Sequence, residues 1–201
     1  MSTGEVGPCS ILTSCVLLIP EKIETERLIL RTFNNEDWHA MHALYSDEAC
    51  IAFTMGHVLT EGESWRTVAS LAGHWWLRGY GPYAVEEKLS GMVLGTVGLW
   101  YPSDWPGPEI KWALARRYWE RGFASEAARA VRTMATEFLP HIPLISFIHS
   151  ENAASIRVAL AVGAKFEKEI DFRSGKWHIY RHRSENERGV EGAGHVGFSG
   201  G

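Results

Sequence analysis

The segment spanning residues 109–128 constrains the fold of this chain more than any other, because its pattern predicts a strand, a short basic loop and a helix in direct succession. In the helical half, apolar residues recur at the spacing that buries one stripe of a helix. They are Ala124, Ala127, Ala128, Val131, Met134, Ala135 and Phe138. Gly122 precedes this helix, so unpaired N–H groups and the positive end of the helix dipole meet at the loop. Positive charge is added there by Arg116, Arg117 and Arg121. The segment therefore predicts an anion site suited to a phosphate or pyrophosphate.

Composition limits the classes of protein to which the chain can belong. Its 201 residues suit one domain with a buried core, and 45% hydrophobic with 22% charged residues is typical of a soluble globular protein. The net charge of −4 argues against general nucleic-acid binding, so the arginine cluster favours a small anionic ligand. Three cysteines (Cys9, Cys15 and Cys50) lack metal-ligand or redox-motif spacing, and the nine histidines show no metal pattern. These features predict a cytoplasmic protein without a metal site.

The two ends of the chain differ from its middle. The apolar run at residues 11–19 is too short to span a bilayer, and no basic residue precedes it as in a signal peptide. We therefore expect no membrane partner and interpret residues 1–20 as a loose N-terminal extension. Residues 184–201 are rich in glycine and are predicted to be a disordered tail. Residues 21–183 form the one predicted domain.

Apolar periodicity and turn residues predict the order β-α-α-β-β-β-α-β-α-β-β within that domain. The predicted strands cover residues 27–33, 83–87, 92–100, the segment from 109, and residues 144–149, 165–171 and 176–181. The predicted helices cover the segment from Asn34 or Asn35 (as cap) to 45, residues 63–77, the segment after Gly122, and the segment from Asn152 to Gly163. Consecutive strands favour antiparallel pairing, whereas the crossover from residue 109 to residue 149 requires parallel strands. The expected fold class is α/β with one mixed sheet and helices on both faces.

Several motifs in register resemble a known family. The segment Trp119-Glu-Arg-Gly-Phe-Ala124 resembles the acyl-CoA pyrophosphate loop of GNAT N-acetyltransferases, whose pattern is Gln/Arg-x-x-Gly-x-Gly/Ala. Trp119 stands at the Gln/Arg position, and this form is usual in the branch that resembles RimJ and RimL, the ribosomal-protein N-terminal acetyltransferases. The companion motifs are Glu24-Thr-Glu-Arg-Leu-Ile-Leu-Arg31, Asn152-Ala-Ala-Ser-Ile-Arg157 and Gly163-Ala-Lys-Phe-Glu167. The resemblance covers residues 22–183.

This resemblance implies a GNAT-like acyl-CoA N-acyltransferase fold with acetyl-CoA between two splayed strands, those beginning at residues 109 and 144. The pantetheine arm would pair with the backbone of Trp112, Ala113 and Leu114 as an added strand does. The pyrophosphate would bind the N–H groups of residues 121–124, with help from the arginines. The residues that the resemblance assigns to the cofactor are Trp112, Ala113, Leu114, Arg116, Arg117, Trp119, Arg121, Gly122, Phe123, Ala124, Ser125, Asn152, Ser155 and Arg157.

The implied chemistry is direct attack of a free amine on the thioester, which needs a base for the amine and an acid for the leaving thiolate. Glu109 is our choice of base, acting through water; the alternative is a solvated or Arg-paired carboxylate. The family's usual acid is a tyrosine in the helix after Asn152, but residues 153–163 contain none. Ser155 occupies the RimL-like position and is the predicted proton relay; the alternative is a hydroxyl that only forms the first helical turn. His149 is a second candidate base or a packed strand residue.

The acceptor side is predicted from aromatic residues around the proline-rich loop at residues 102–108. Tyr83, Trp100 and Trp105 are expected in a wall that receives an apolar side chain or stacks on a cation. The predicted function is an acetyl-CoA-dependent N-acetyltransferase acting on a primary amine, for which a protein N-terminal residue is one acceptor. The alternatives are a small-molecule amine (amino acid, polyamine or antibiotic) and a non-catalytic acyl-CoA-binding domain. A homodimer is expected by analogy alone.

Overall fold

A sheet that splits in its middle dominates the computed structural model, which describes residues 17–173 and 175–182. The described strands are β1 (Lys22–Glu24), β2 (Leu28–Arg31), β3 (Pro82–Glu87), β4 (Val93–Trp100), β5 (Glu109–Leu114), β6 (Ile145–His149), β7 (Lys165–Phe172) and β8 (Gly175–Arg181). The described helices are α1 (Asp37–Tyr45), α2 (Glu48–Ile51), α3 (Glu61–Arg78), α4 (Phe123–Phe138) and α5 (Ala153–Ala161), with a short 3-10 helix at Arg116–Tyr118. Most of the predicted extension and all of the predicted tail lie outside the described residues.

The strand order across the sheet is β1-β2-β3-β4-β5-β6-β8-β7. Neighbours are antiparallel except β5 and β6, which run parallel as the crossover through α4 predicted. Six successive residues of β4 are buried, so both faces of this strand are covered, and α1 and α4 both contact it. The predicted α/β class, mixed sheet and element order are confirmed. The sequence patterns missed β1 and α2, which are too short for periodicity to reveal.

Capping explains where the helices begin and end, and corrects one expectation. Thr60 and Glu63 form a reciprocal capping box at the start of α3, and Gly79 ends that helix with φ 73°. The predicted cap of α1 at Asn34 or Asn35 is wrong, because Glu36 is the N-cap and caps nothing with its side chain. Asn34 instead uses its side-chain oxygen to accept a hydrogen bond from the N–H of Glu36 (2.9 Å), which makes a local turn before the helix.

The split between β5 and β6 positions the site. Their backbone pairing is limited to Glu109 opposite Ile145, and β6 then continues its ladder with β8. Side chains join the two strands at this vertex: Ser146 Oγ donates to the Ile110 carbonyl (3.1 Å), and the N–H of Phe147 donates to Glu109 Oε2 (3.2 Å). Trp112 packs against the main core and also against the small cluster under α5. Toward the carboxyl ends of β5 and β6, the backbone edge of β5 is therefore open.

Candidate active site

The loop between β5 and α4, residues 115–122, has the geometry expected of an anion site; we call it the CoA loop, after the resemblance that assigns acetyl-CoA to it. Gly122 is the N-cap of α4 with φ 78°, a left-handed conformation that favours glycine. No side chain in the described part of the chain caps this helix end. The N–H groups of the first turn of α4, which includes Ala124 and Ser125, therefore point toward the loop without a side-chain acceptor. This is the arrangement that the glycine and the helix pattern predicted.

The three arginines of the CoA loop are exposed, and each contacts protein groups. Arg116 pairs with Asp47 (2.9 Å), and Arg121 pairs with Glu87 (3.4 Å) while its guanidinium lies over the ring of Phe123. Arg117 lies over the ring of Tyr118. These contacts lie at the surface, where ion pairs contribute little, so the guanidinium groups are able to exchange partners for a phosphate.

Trp119, at the family's Gln/Arg position, holds the CoA loop against the end of its own strand. Its indole N–H donates to the carbonyl of Leu114 (2.7 Å). This hydrogen bond occupies the last backbone carbonyl of β5, where the resemblance places one end of the pantetheine arm. Trp119 is 39% exposed, so its ring also forms part of the surface beside the loop.

Arg27 is a member of the site that the sequence interpretation missed. Its guanidinium donates to the carbonyl of Arg121 (3.0 Å), pairs with Glu126 (2.6 Å) and lies over the ring of Phe123 (4.5 Å). Glu126 also accepts a hydrogen bond from Thr25 Oγ1 (2.6 Å). The start of β2 is thereby tied to the first turn of α4. Thr25 and Arg27 belong to the motif at residues 24–31, which was interpreted only as a strand.

Predicted cofactor residues from two elements meet across the split. The indole N–H of Trp112 on β5 donates to Ser155 Oγ on α5 (3.2 Å), and Asn152 Oδ1 accepts the N–H of Ser155 (3.0 Å) as the N-cap of α5. The structure therefore brings Trp112, Asn152 and Ser155 together. Arg157 is exposed, and no hydrogen bond or ion pair joins it to other described residues.

Glu109 lies at the vertex and is only 5% exposed. One carboxylate oxygen accepts the indole N–H of Trp105 (2.9 Å), and the other accepts the backbone N–H of Phe147 (3.2 Å). Burial raises the pKa of Glu109 to about 7, although Lys111 and these two hydrogen bonds act in the opposite direction. The alternative of a solvated or Arg-paired carboxylate does not match this environment, because the side chain is buried and its hydrogen-bond partners are neutral.

Glu109 shares one face of β5 with a residue that the sequence interpretation left out. Pairing sets Trp100 opposite Glu109 and Gly98 opposite Lys111, and alternation puts Glu109 and Lys111 on the same face. We call this face of β5 the acceptor face; Trp112, with its bond to Ser155, projects from the other. Lys111 is half-buried, with Nζ 4.9 Å from the centre of the Trp100 ring. Burial lowers the pKa of Lys111, and Glu109 opposes that effect.

Aromatic rings surround the acceptor face. Trp105, Phe147, Phe172 and Trp177 pack on one another, mostly edge to face. His149 packs between Phe53 and Trp177, which matches its interpretation as a packed residue. Phe147, Phe172 and Trp177 come from β6, β7 and β8. No local sequence pattern indicates contacts between segments this far apart along the chain.

Trp100 and Trp105 lie at the acceptor face, whereas Tyr83 does not. Tyr83 has no exposed surface; its hydroxyl donates to the carbonyl of Pro20 (2.6 Å) and its ring packs against Trp75. Trp100 is backed by His74, whose ring stacks on it at 4.8 Å. His74 Nδ1 donates to the carbonyl of Tyr80 and Nε2 accepts the N–H of Tyr101, so this imidazole is neutral. Burial also lowers the pKa of His74.

The part of the chain that the structure describes carries neither a membrane-spanning helix nor a cluster of metal ligands. None of its helices has the length and apolar character needed to cross a membrane. No group of three or more His, Cys, Asp or Glu residues within that part converges as metal ligands do.

Most of the chain matches a known protein family. Residues 27–165 match the family model of the acetyltransferase (GNAT) domain. The chain belongs to the GNAT acetyltransferase family. It is 28% identical over 179 residues to the uncharacterized protein YkkB of Bacillus subtilis strain 168, a match covering 82% of this chain and 97% of that protein.

Solved structures agree with the family match. An acetyltransferase from Agrobacterium tumefaciens strain C58 superposes with a TM-score of 0.73 at 26% identity, covering 83% of this chain and 95% of that one. RimL, a ribosomal L7/L12 alpha-N-protein acetyltransferase solved with coenzyme A, superposes with a TM-score of 0.68 at 18% identity. The match covers 82% of this chain and 99% of that one. The predicted GNAT fold, acetyltransferase activity and acetyl-CoA cosubstrate are confirmed at the level of the family.

Proposed function

We propose that this acetyltransferase transfers the acetyl group of acetyl-CoA to a primary α-amine, by direct attack of the amine on the thioester, with Glu109 as the general base. The observation that carries this proposal is the buried Glu109 carboxylate at the β5–β6 vertex, where the two strands separate. The proposal places the enzyme near RimJ and RimL, in agreement with the motif at residues 119–124.

The pKa of Glu109 favours an α-amine over a lysine side chain. The pKa of Glu109 is about 7, and the reference pKa of an α-ammonium group is about 8. Proton transfer from that group to Glu109 is therefore uphill by only about one pKa unit. For a lysine ammonium with a reference pKa of about 10.4, the gap exceeds three units. The hydrogen bond from Trp105 orients the carboxylate.

The described residues fit acetyl-CoA. The uncapped N-terminus of α4 at Gly122 and the surrounding arginines suit the pyrophosphate. The open backbone edge of β5 at Trp112 and Ala113 suits the pantetheine arm, whereas the Leu114 carbonyl already accepts the Trp119 indole N–H. Bound there, the thioester would supply the electrophilic carbonyl carbon. Ser155 Oγ accepts a hydrogen bond from Trp112, which leaves the proton of the hydroxyl available to the thiolate.

The proton balance follows from these positions. The acceptor ammonium loses one proton to the Glu109 carboxylate, and its nitrogen then forms the C–N bond as the C–S bond breaks. A second proton leaves the nitrogen and, through Ser155, reaches the sulfur. The products are the N-acetylated amine and CoA with a free thiol, and Glu109 returns its proton to solvent.

Two acceptor classes contain an α-amine. A protein N-terminal residue is favoured by the resemblance to RimL, which its own title describes as acting on ribosomal L7/L12. A small molecule with an α-amine is favoured by the half-buried Lys111 beside Glu109.

The test is release of CoA with a panel of amines, using the wild-type protein and the variants Glu109→Gln and Glu137→Gln. The panel contains amino acids, peptides with free N-termini, and Nα-acetyl-lysine as an ε-amine. We expect release with α-amines only, and kcat/KM rising with pH through about 7 because Glu109 must be deprotonated. Glu109→Gln should lower kcat by about 10²- to 10⁴-fold while acetyl-CoA still binds. The exposed Glu137 serves as the matched control. Wild-type turnover in Glu109→Gln, or release with the ε-amine alone, would contradict the proposal.

A further inference from the structure

The acceptor face carries an ammonium group that the proposed reaction does not use. Lys111 follows Glu109 by two residues on the same face of β5, and its side chain is half-buried over the Trp100 ring. Within residues 17–173 and 175–182, no carboxylate forms an ion pair with Lys111, and its ammonium donates no hydrogen bond. Partial burial of an ammonium without an acceptor is unfavourable, and an anion that binds there recovers that free energy.

The other charged groups around this face do not supply the missing anion. Glu109 attracts Lys111 and raises its pKa, but the two groups form no ion pair, and Glu109 bonds to Trp105 and Phe147 instead. Asp104 pairs with Arg173, whose guanidinium lies over the Trp105 ring. His74 behind Trp100 is neutral, and Arg78 lies over Tyr101. Among the described residues, Lys111 therefore lies over the Trp100 ring without an ion-pair partner, and Glu109 is the carboxylate that acts on it through its charge.

This charge pattern separates the possible acceptors. A polyamine would bring a second ammonium group toward Lys111 with no second free carboxylate to receive it. A protein N-terminus has a neutral peptide group next to its amine. A free α-amino acid carries an ammonium and a carboxylate on one carbon. Side chains at adjacent same-face positions of a strand start about 6.8 Å apart, which suits binding of those two groups by Glu109 and Lys111.

We infer that the acceptor is a free α-amino acid with an apolar side chain, whose carboxylate is bound by Lys111 and whose side chain lies against the aromatic rings around the acceptor face. This inference rests on the proposed function and narrows it. A carboxylate raises the pKa of its neighbouring ammonium, and pairing it with Lys111 removes that effect. Lys111 therefore also makes the acceptor amine easier for Glu109 to deprotonate.

The experiment compares three acceptors that share one side chain and one α-amine: L-phenylalanine, L-phenylalaninamide and a tripeptide with N-terminal phenylalanine. Release of CoA is measured for each with the wild-type protein. We expect kcat/KM for phenylalanine to exceed that for the amide by about tenfold to a hundredfold, the range for a hydrogen bond between charged groups. The amine of the amide is the less basic one, so without a carboxylate contact the order would be reversed.

Variants of Lys111 test whether the preference for phenylalanine over its amide comes from contact between Lys111 and the acceptor carboxylate. Lys111→Met keeps the length of the side chain and removes its charge, so we expect it to lower kcat/KM for phenylalanine by the same roughly tenfold to hundredfold factor, and for the amide much less. Lys111→Arg should restore most of the preference. Lys165→Met, at an exposed position on β7, is the matched control.

Two results would overturn the inference and leave the proposed function standing. One is equal or better acetylation of the amide or the tripeptide by the wild-type protein. The other is an equal loss for all three acceptors in Lys111→Met, which would place Lys111 at the acetyl group rather than at the acceptor. If acetyl-CoA binds and no amine releases CoA, the proposed function fails as well.

Discussion

The CoA loop and the acceptor face lie at opposite ends of the same strand, β5, and are built in different ways. The CoA loop uses backbone N–H groups, a left-handed glycine and exposed arginines. The acceptor face uses buried side chains: a carboxylate whose pKa is raised to about 7 and a half-buried ammonium among aromatic rings. A backbone site tolerates many side chains and persists across a family, whereas a side-chain site changes with each acceptor.

The difference also appears in how the two regions are supported. Arg27 and Glu126 tie the CoA loop to β2 through contacts of their own side chains. The acceptor face is supported by three separate parts of the chain, namely the loop with Trp105, the strand with Phe147, and α3 with His74. We therefore expect changes at the CoA loop to alter acetyl-CoA binding, and changes at the acceptor face to alter turnover and its pH dependence.

The largest effect is expected for Gly122→Val. Its φ of 78° is unfavourable for a β-branched residue, and a Cβ there would meet the Arg27 guanidinium at 3.4 Å, beside the N–H groups of α4 that are proposed to bind the pyrophosphate. We expect acetyl-CoA affinity to fall by about a hundredfold or more, measured by calorimetry, because several charge-assisted hydrogen bonds are lost together. Gly91→Val is the matched control, since Gly91 has φ 66° in the β3–β4 turn with no neighbour within 4 Å. Normal affinity in Gly122→Val would remove the CoA loop from the site.

A smaller effect is expected for Arg27→Met, which tests whether the CoA loop needs its support from β2. Loss of the bonds to Arg121 and Glu126 should raise the KM for acetyl-CoA by about tenfold, with kcat much less affected. Arg31→Met is the control, because Arg31, like Arg27, forms carboxylate ion pairs (with Asp37 and Glu86) but does not contact the CoA loop. If the two variants change KM equally, the effect belongs to stability and not to the loop.

The smallest effect is expected for Trp105→Phe, which tests the acceptor face through the pKa of Glu109. The indole N–H favours the charged carboxylate, so its removal should raise the pKa and move the midpoint of the kcat/KM–pH profile to higher pH by about one unit. Trp177→Phe is the control, because Trp177 packs in the same aromatic group without a bond to Glu109. A midpoint that stays in place would mean that Glu109 is not the titrating group.

Local patterns predicted a large part of the fold. The helix after Gly122, the hairpin before the proline-rich loop and the parallel pair joined by α4 were all predicted, because periodicity and crossover rules act over short stretches of chain. The elements that were missed are three and four residues long. The cap of α1 was assigned wrongly, since Asn34 bonds within its own turn instead of capping the helix.

In the candidate site too, some residues were predicted from local patterns and others were missed or misplaced. Gly122, Trp119 and Asn152 were predicted from motifs, and Glu109 from its position at the start of a strand. Lys111 was missed although it stands two residues from Glu109, since nothing local showed that its side chain would be partly buried. Tyr83 was assigned to the acceptor wall, but packing against Trp75 and a bond to Pro20 place it in the core.

By itself, the sequence determined the order of the elements, the glycine turn before α4 and the family of the chain, because each of these depends on residues close together along the chain. The tertiary structure alone decided the environment of Glu109. Its partners Trp105 and Phe147 come from either side of the crossover, and burial where these segments meet raises the pKa of the carboxyl although their hydrogen bonds lower it. Desolvation depends on which distant segments meet, and no local pattern encodes that.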